Sequence, residues 1–286
     1  MVFQRGHGVQ SQNQAIFDLS GRVALVTGGA GLLGAEFVRS LAAAGARVYS
    51  IDVNSGRLDA VRAGYAKDIA ERVNPCELDI TNEAAVDHVV DRIHANEGHI
   101  DILVNSAAVD PKFDAHALAR GESPGAFTSY SLANWQRSMD VNLTGAFLIT
   151  RAVCRHMESA NRGVIINISS TYGLVGPDQR IYENDNDTNR FFKPVDYSVT
   201  KAGILGFTRA LAAYYQNRGI RVNALSPGGT YNGNPEQFVE RYSYRTIVGR
   251  MAAPDDYSGA IVFLCSEASR YMTGANLVVD GGWTAL

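Results

Sequence analysis

The sequence predicts an α/β fold: one doubly wound parallel sheet in a three-layer arrangement, built as a single domain. Three observations carry that expectation. From Arg22 onward, short apolar runs alternate with amphipathic ones. The apolar runs are continuous rather than alternating, which reads as strands buried on both faces. The links between them are short, so successive strands run parallel and helices cross over on both sides of the sheet. No composition shift or long linker divides the 286 residues.

The elements follow in order. "RVALVTG" is brief, β-branched and ended by Gly, as a buried strand is. "AEFVRSLAAAG" reads as a helix closed by Gly45. "ARVYSIDV" is the second strand, about 58–72 a helix, "CELDI" the third strand and Ala84–Asn96 a helix. "IDILVNSAA" runs from a strand into a small-residue loop, and about 131–159 is a long helix or a broken pair. "GVIINISS" is a strand, 196–217 a helix and "IRVNALSPGG" a strand. Helices near 235–245 and 255–265 precede the last strand, "NLVVDGG".

Composition narrows the function classes. Net charge is −3 with no basic run, which gives no reason to expect nucleic acid. No apolar stretch approaches the ~18 residues of a membrane span. Residues 1–19 are polar and Gln-rich without the apolar centre of a signal peptide, and read as a flexible leader ahead of a domain over 20–286. Cys76, Cys154 and Cys265 are odd in number and far apart, which suits reduced thiols in the cytoplasm. The histidines show no metal-ligand spacing, so no metal site is expected.

"TGGAGLLG" (27–34) lies between the first strand and the first helix. Glycines let a backbone approach a ligand, and a helix N-terminus offers free N–H groups to a pyrophosphate. Gly28, Gly31, Leu32, Leu33 and Gly34 are therefore cofactor-binding candidates. The next strand ends near Asp52, where a carboxylate can bind ribose hydroxyls and repel a 2′-phosphate, so NAD is expected over NADP. Asp79, ending the third strand, is positioned to bond an adenine amino group, to cap the following helix, or both.

In "VDYSVTKAG" (195–203), Tyr197 and Lys201 stand one helical turn apart. The plain reading is a shared helix face with the Tyr packed and the Lys solvated. The chemical reading is that an ammonium favours the phenolate and lowers a phenol pKa from about 10, so that it exchanges a proton with an alcohol.

With these motifs in order, the chain resembles the short-chain dehydrogenase/reductase family over nearly all of 20–286. The stretches that carry the resemblance are "TGGAGLLG", "LDIT", "NSAA", "VNLTGAF", "INISS", "YSVTK", "RVNALSPGG" and "VVDGGW". It implies a Rossmann-like fold and a nicotinamide cofactor. By position it makes Tyr197 the general acid/base and gives Lys201 two tasks, lowering the phenol pKa and binding the nicotinamide ribose. It assigns Ser170 to the substrate oxygen and Asn142 to a water linking Lys201 to solvent. It sets Asn105 and Ala107 near the adenosine ribose, Asp79 and Ile80 at the adenine, and Pro227, Gly228 and Thr230 at the nicotinamide. It also implies a homodimer or homotetramer. The chain departs from the family pattern at Leu32, where a Gly is usual, at Ala108 in "NSAA", and at Asn232, where Thr is frequent.

The largest departure is an insert, 177–194. Ser170 and Tyr197 lie 27 positions apart, about twice the usual family spacing. The insert begins and ends at the expected active site and is rich in hydrogen-bonding groups. It reads as a solvated loop, an oligomer contact or a substrate lid, and a lid of this kind suits a polyhydroxylated small molecule. The substrate-contact candidates at the ends of the strands are Asp110, Lys112, Tyr172, Arg180, Tyr231 and Asn232. A weaker similarity, carried by "AAVDPKF", "PDQRIYEN" and "SPGGTYNGNPEQFVERY", links the chain to enzymes of bacterial surface-sugar and flagellin-glycan synthesis. It points to a sugar, sugar phosphate or nucleotide sugar. The alternatives are a 3-oxoacyl thioester reductase and a catalytically silent NAD-binding protein.

Overall fold

The computed structural model describes residues 15–110, 123, 125–183 and 191–286. Its strands are β1 (Val23–Thr27), β2 (Arg47–Asp52), β3 (Val73–Glu77), β4 (Ile102–Asn105), β5 (Gly163–Ile168), β6 (Ile220–Pro227) and β7 (Asn276–Val279). They pair parallel in the order β3-β2-β1-β4-β5-β6-β7. The helices are α1 (Leu32–Ala43), α2 (Ser55–Ala63), α3 (Glu83–Glu97), α4 (Leu132–Met139), α5 (Ala146–Ala160), α6 (Val195–Tyr214), α7 (Glu236–Tyr244) and α8 (Ser258–Cys265). No helix among the described residues is long and apolar enough to cross a membrane.

The central strands β1, β4, β5 and β6 are buried on both faces almost throughout, as the continuous runs require, while the edge strand β7 is only partly covered. One face packs against α3, α5 and α6 through residues such as Val90, Ile149 and Val153. The other packs against α1 and α8 through Phe37, Leu41, Ile261 and Leu264. The three layers and the parallel order are those read from the sequence.

Three local expectations need correction. The third strand is Val73–Glu77 rather than "CELDI", because β3 lies at the sheet edge, where Pro75 costs little pairing. The helix expected over 58–72 ends at Ala63, and a short turn at Lys67–Ala70 follows. The packed body also begins before residue 20. Leu19 is buried, its N–H bonds the Ala44 carbonyl, and the Ile16 carbonyl accepts from Ala268.

Strand order reverses between β1 and β4, and in such sheets the ligand crevice lies beyond the carboxyl ends at that switch point. The loops leaving β1 and β4 meet there so closely that a Cβ on Gly28, whose φ is +68°, would lie 2.7 Å from the Ala107 Cα. Between α4 and α5 the helix continues through a π turn, Asp140–Gly145, which carries Asn142. Such turns are frequent at functional sites.

Candidate active site

The cofactor end is built from the glycine loop. Gly31 is the N-cap of α1, no side chain caps that helix, and its first turn holds no acid. Its leading N–H groups are therefore open to a pyrophosphate. A Cβ on Gly34 would run into the Gly28 carbonyl at 2.0 Å, so glycine there lets α1 press against the loop. Asp52 Oδ2 accepts from Ala30 N–H at 3.2 Å, which ties the carboxylate at the end of β2 to the same loop. Open N–H groups, a close-fitting glycine cradle and an adjoining carboxylate fit a dinucleotide. Leu32 is half-exposed at the start of α1, while Leu33 packs toward the core.

The catalytic candidates come together at the ends of β5 and α6. The Ser170 hydroxyl is close enough to the Tyr197 phenol to favour its ionised form, and Ser170 Oγ accepts from Tyr172 N–H at 3.2 Å. Lys201 is buried, its Nζ 5.7 Å from the Tyr197 ring centroid and donating to the Ile168 carbonyl at 2.9 Å. The start of α6 is fixed from several sides. Ser169 Oγ donates to the Lys201 carbonyl at 2.7 Å. Asp196, fully buried in the first turn, accepts from Tyr197 N–H at 2.9 Å, Tyr130 Oη at 2.9 Å and Ser138 Oγ. The Thr171 hydroxyl donates to the Pro227 carbonyl at 3.0 Å, joining the β5 and β6 ends on either side of the crevice.

The electrostatics differ from the sequence expectation. Burial, together with the Asp110 carboxylate, raises the Tyr197 phenol above its ordinary value, and the Ser170 hydroxyl opposes that rise. Burial pushes Lys201 itself down to about 8; the Asp110 carboxylate opposes that shift and the Lys193 ammonium adds to it. Packing both groups away from water is the reason, since desolvation disfavours each charged form.

Lys193 is the residue that sequence reasoning missed. Its ammonium stands 4.1 Å from the Tyr197 ring centroid, closer than Lys201, and pairs with Asp110. The available signal was its position, two residues before α6, where the insert must return to the site.

The described ends of the insert form a packed wall. Tyr172, Ile181, Tyr242, Met251 and Trp283 cluster together, with Tyr182, Tyr197 and Phe238 packed against them. The Tyr182 hydroxyl bonds that of Tyr172 at 3.1 Å, and Asp178 pairs with Arg245 at 2.9 Å. Tyr172 is thus brought to the site. Arg180 is not: its side chain is 77% exposed and folds onto Asp178 of its own turn. Tyr231 and Asn232 are exposed on the loop after β6, the latter bonding Asn234 through its N–H. Lys112 lies outside the described residues, as do residues 184–190 of the insert.

Other candidates are held by the protein itself. Asn105 Nδ2 donates to Thr150 Oγ1 on α5 and Asn167 Oδ1 on β5, both at 2.8 Å, while its buried Oδ1 has no protein partner. The Asn142 side chain is consumed by protein: Nδ2 donates to the Val109 carbonyl and Thr200 Oγ1, both at 3.1 Å, and Oδ1 accepts from Val109 N–H at 2.7 Å. It pins the β4 loop to α6 rather than offering its amide to a water. Asp79 is exposed and its Oδ1 accepts from the Thr81 N–H and hydroxyl, while Asn82 caps α3. Ile80 is buried against the π turn, where a Cβ on Gly145 would lie 2.7 Å from it. Gly228 is held by Val279 and Tyr257, and the Thr230 hydroxyl also reaches Tyr257.

A family model described as enoyl-(acyl carrier protein) reductase matches residues 29–284. A cis-4-hydroxycyclohexanecarboxylate dehydrogenase from Sinomonas cyclohexanicum is 36% identical over 270 residues, covering 93% of this chain and 97% of that one. The crystal structure of a gluconate 5-dehydrogenase from Burkholderia cenocepacia, in complex with NADP and tartrate, superposes with a TM-score of 0.81. It is 29% identical, over 96% of this chain and 99% of its own. A short-chain dehydrogenase from Leptospira borgpetersenii with bound NAD+ gives 0.79 at 31% identity, over 99% and 97%.

Proposed function

Because the chain belongs to the short-chain dehydrogenase/reductase family of oxidoreductases acting on hydroxyl groups, we propose that it interconverts a secondary alcohol and a ketone on a polyhydroxylated substrate, with NAD preferred. What carries the reading is the meeting of Ser170, Tyr197 and Lys201 at the ends of β5 and α6, with Lys201 Nζ 5.7 Å from the Tyr197 ring centre and the Ser170 hydroxyl close enough to the phenol to favour its ionised form. In oxidation Tyr197 Oη takes the hydroxyl proton of the substrate while Ser170 holds the same oxygen by a hydrogen bond. In reduction Tyr197 returns that proton. Residues at the α1 N-terminus and the end of β6 would hold a nicotinamide cofactor, which would supply the two-electron acceptor or donor. Asn142 keeps the β4 loop and α6 in register around this centre, and Asp196 fixes the backbone of Tyr197.

Asp52 supports the choice of NAD, because its carboxylate adjoins the glycine loop where a 2′-phosphate would meet it. NADH is expected to bind at least tenfold tighter than NADPH by fluorescence titration, and Asp52→Ala to shrink that ratio. Tighter NADPH binding by the native protein overturns the assignment. Half-exposed Phe147 and Val199 on α5 and α6 support assembly as a homodimer or homotetramer, and the buried thiols support a cytoplasmic setting.

A 3-oxoacyl-[acyl-carrier-protein] reductase from Aquifex aeolicus, 31% identical over 92% of this chain and 98% of its own, supports a second reading, a reductase of 3-oxoacyl thioesters. A panel of sugars, sugar acids, sugar phosphates and nucleotide sugars with NAD+, set beside 3-oxoacyl thioesters with NADH and NADPH, separates the two. Turnover confined to the thioesters rejects the polyol reading.

A further inference from the structure

Lys193 has no part in the proton transfer just described, yet it stands against the phenol that performs it. Its side chain is only 9% exposed, so water cannot take over its solvation, and it needs a counter-charge. That counter-charge is Asp110, which is 49% exposed and can return to water at little cost. The pair is therefore asymmetric: the cation is fixed and its anion is replaceable. The backbone of Lys193 is clamped on both sides by one amide. Gln179 Nε2 donates to the Lys193 carbonyl and Gln179 Oε1 accepts its N–H, each at 3.0 Å. Pro194 follows as the N-cap of α6.

We propose that Lys193 is the anchor for a carboxylate on the substrate, which displaces Asp110 from the ammonium, so that the site selects hydroxy acids over neutral polyols. The inference rests on Tyr197 being the place where the alcohol is oxidised. One small molecule spans the two points, since the ammonium lies 4.1 Å from the centre of the ring whose hydroxyl holds the reacting oxygen. A carboxylate fits better than a phosphate. Exchanging one carboxylate for another conserves the local charge, whereas a phosphate dianion brings a second negative charge beside Asp110 with one ammonium to meet it. The insert thus acts through the residue it delivers to the start of α6.

Threitol, threonate and threitol phosphate share a carbon skeleton and differ at one end: hydroxymethyl, carboxylate or phosphate. Their binding to the protein saturated with reduced nicotinamide cofactor is measured by calorimetry. Threonate is expected to bind at least tenfold tighter than either of the others. In Lys193→Met, which keeps the packed stem, that preference collapses toward unity; in Asp110→Asn, which removes the competing anion, it grows. A threonate preference that survives Lys193→Met, or threitol binding as tightly as threonate, overturns the carboxylate anchor and leaves the polyol reading standing. Preference for the phosphate overturns the choice of anion. Absence of binding by all three overturns the polyol reading, and the anchor with it.

Discussion

Tyr197→Phe is expected to lower kcat for alcohol oxidation about 10³-fold, with cofactor affinity and melting temperature nearly unchanged. The substitution removes one oxygen and keeps the ring, so Lys193 still has its aromatic face and the packing against Tyr172 and Trp283 survives. Positioned general acid–base groups contribute about 10²–10⁴-fold. Tyr197 is expected toward the upper part of that range, because it is the group assigned to exchange the substrate proton directly. The two hydroxyls act on one oxygen, so Ser170→Ala combined with Tyr197→Phe is expected to cost little more than Tyr197→Phe alone. Steady-state kinetics, with cofactor titration as the control, reads both results. Full activity in Tyr197→Phe removes the phenol from the mechanism.

Lys201→Met separates activity from stability in opposite directions. Lys201 is buried and its ammonium titrates near 8 rather than 10.5. The unfolded chain therefore binds the proton more tightly than the folded one. The penalty is complete below pH 8, fades as pH rises from 8 to 10.5, and is gone above that. It amounts to roughly 3 kcal/mol at neutral pH. Met fills the same space without a charge and forfeits one hydrogen bond to the Ile168 carbonyl, worth about 1 kcal/mol. The variant is expected to melt higher than the native protein at pH 7, by about 1–2 kcal/mol of stability, with the gain vanishing near pH 10. Its kcat is expected to fall about 10²-fold or more, since the buried cation behind the phenol is lost. A lower melting temperature at pH 7 contradicts the assignment of Lys201 as a charge held at the expense of stability for function.

Much of this was legible in the chain, for identifiable reasons. Continuous apolar runs such as "VALVT" and "ILVN" can be strands only where both faces are covered, which fixes a parallel sheet with helices on each side. The spacing of Tyr197 and Lys201 and the position of Ser170 at a strand end survive as contacts because each depends on one local element. What the motifs did not convey depends on side-chain partners outside them. Asn105 is a cofactor candidate by sequence, yet Thr150 on α5 and Asn167 on β5 take its amide nitrogen. Arg180 is a substrate-contact candidate by sequence, but Asp178 two residues earlier holds it. Lys193 and Asp196 went unremarked because their roles exist only once Asp110, Tyr130 and Ser138 are brought beside α6. The pKa of Tyr197 was misjudged for a related reason. Spacing reports that an ammonium is near but not that both groups are dry, and dryness sets the sign.

The central claim is that a single proton on Tyr197 is taken from the alcohol in one direction and given to the ketone in the other. The pH dependence of kcat/KM, measured for both directions on one substrate pair, tests it most directly. The account predicts that oxidation rises and reduction falls with pH through the same apparent pKa. In Asp110→Asn both limbs shift to lower pH, because a negative charge that holds the proton on the phenol is gone. Profiles with no shared limb, or a shared limb that persists in Tyr197→Phe, contradict it.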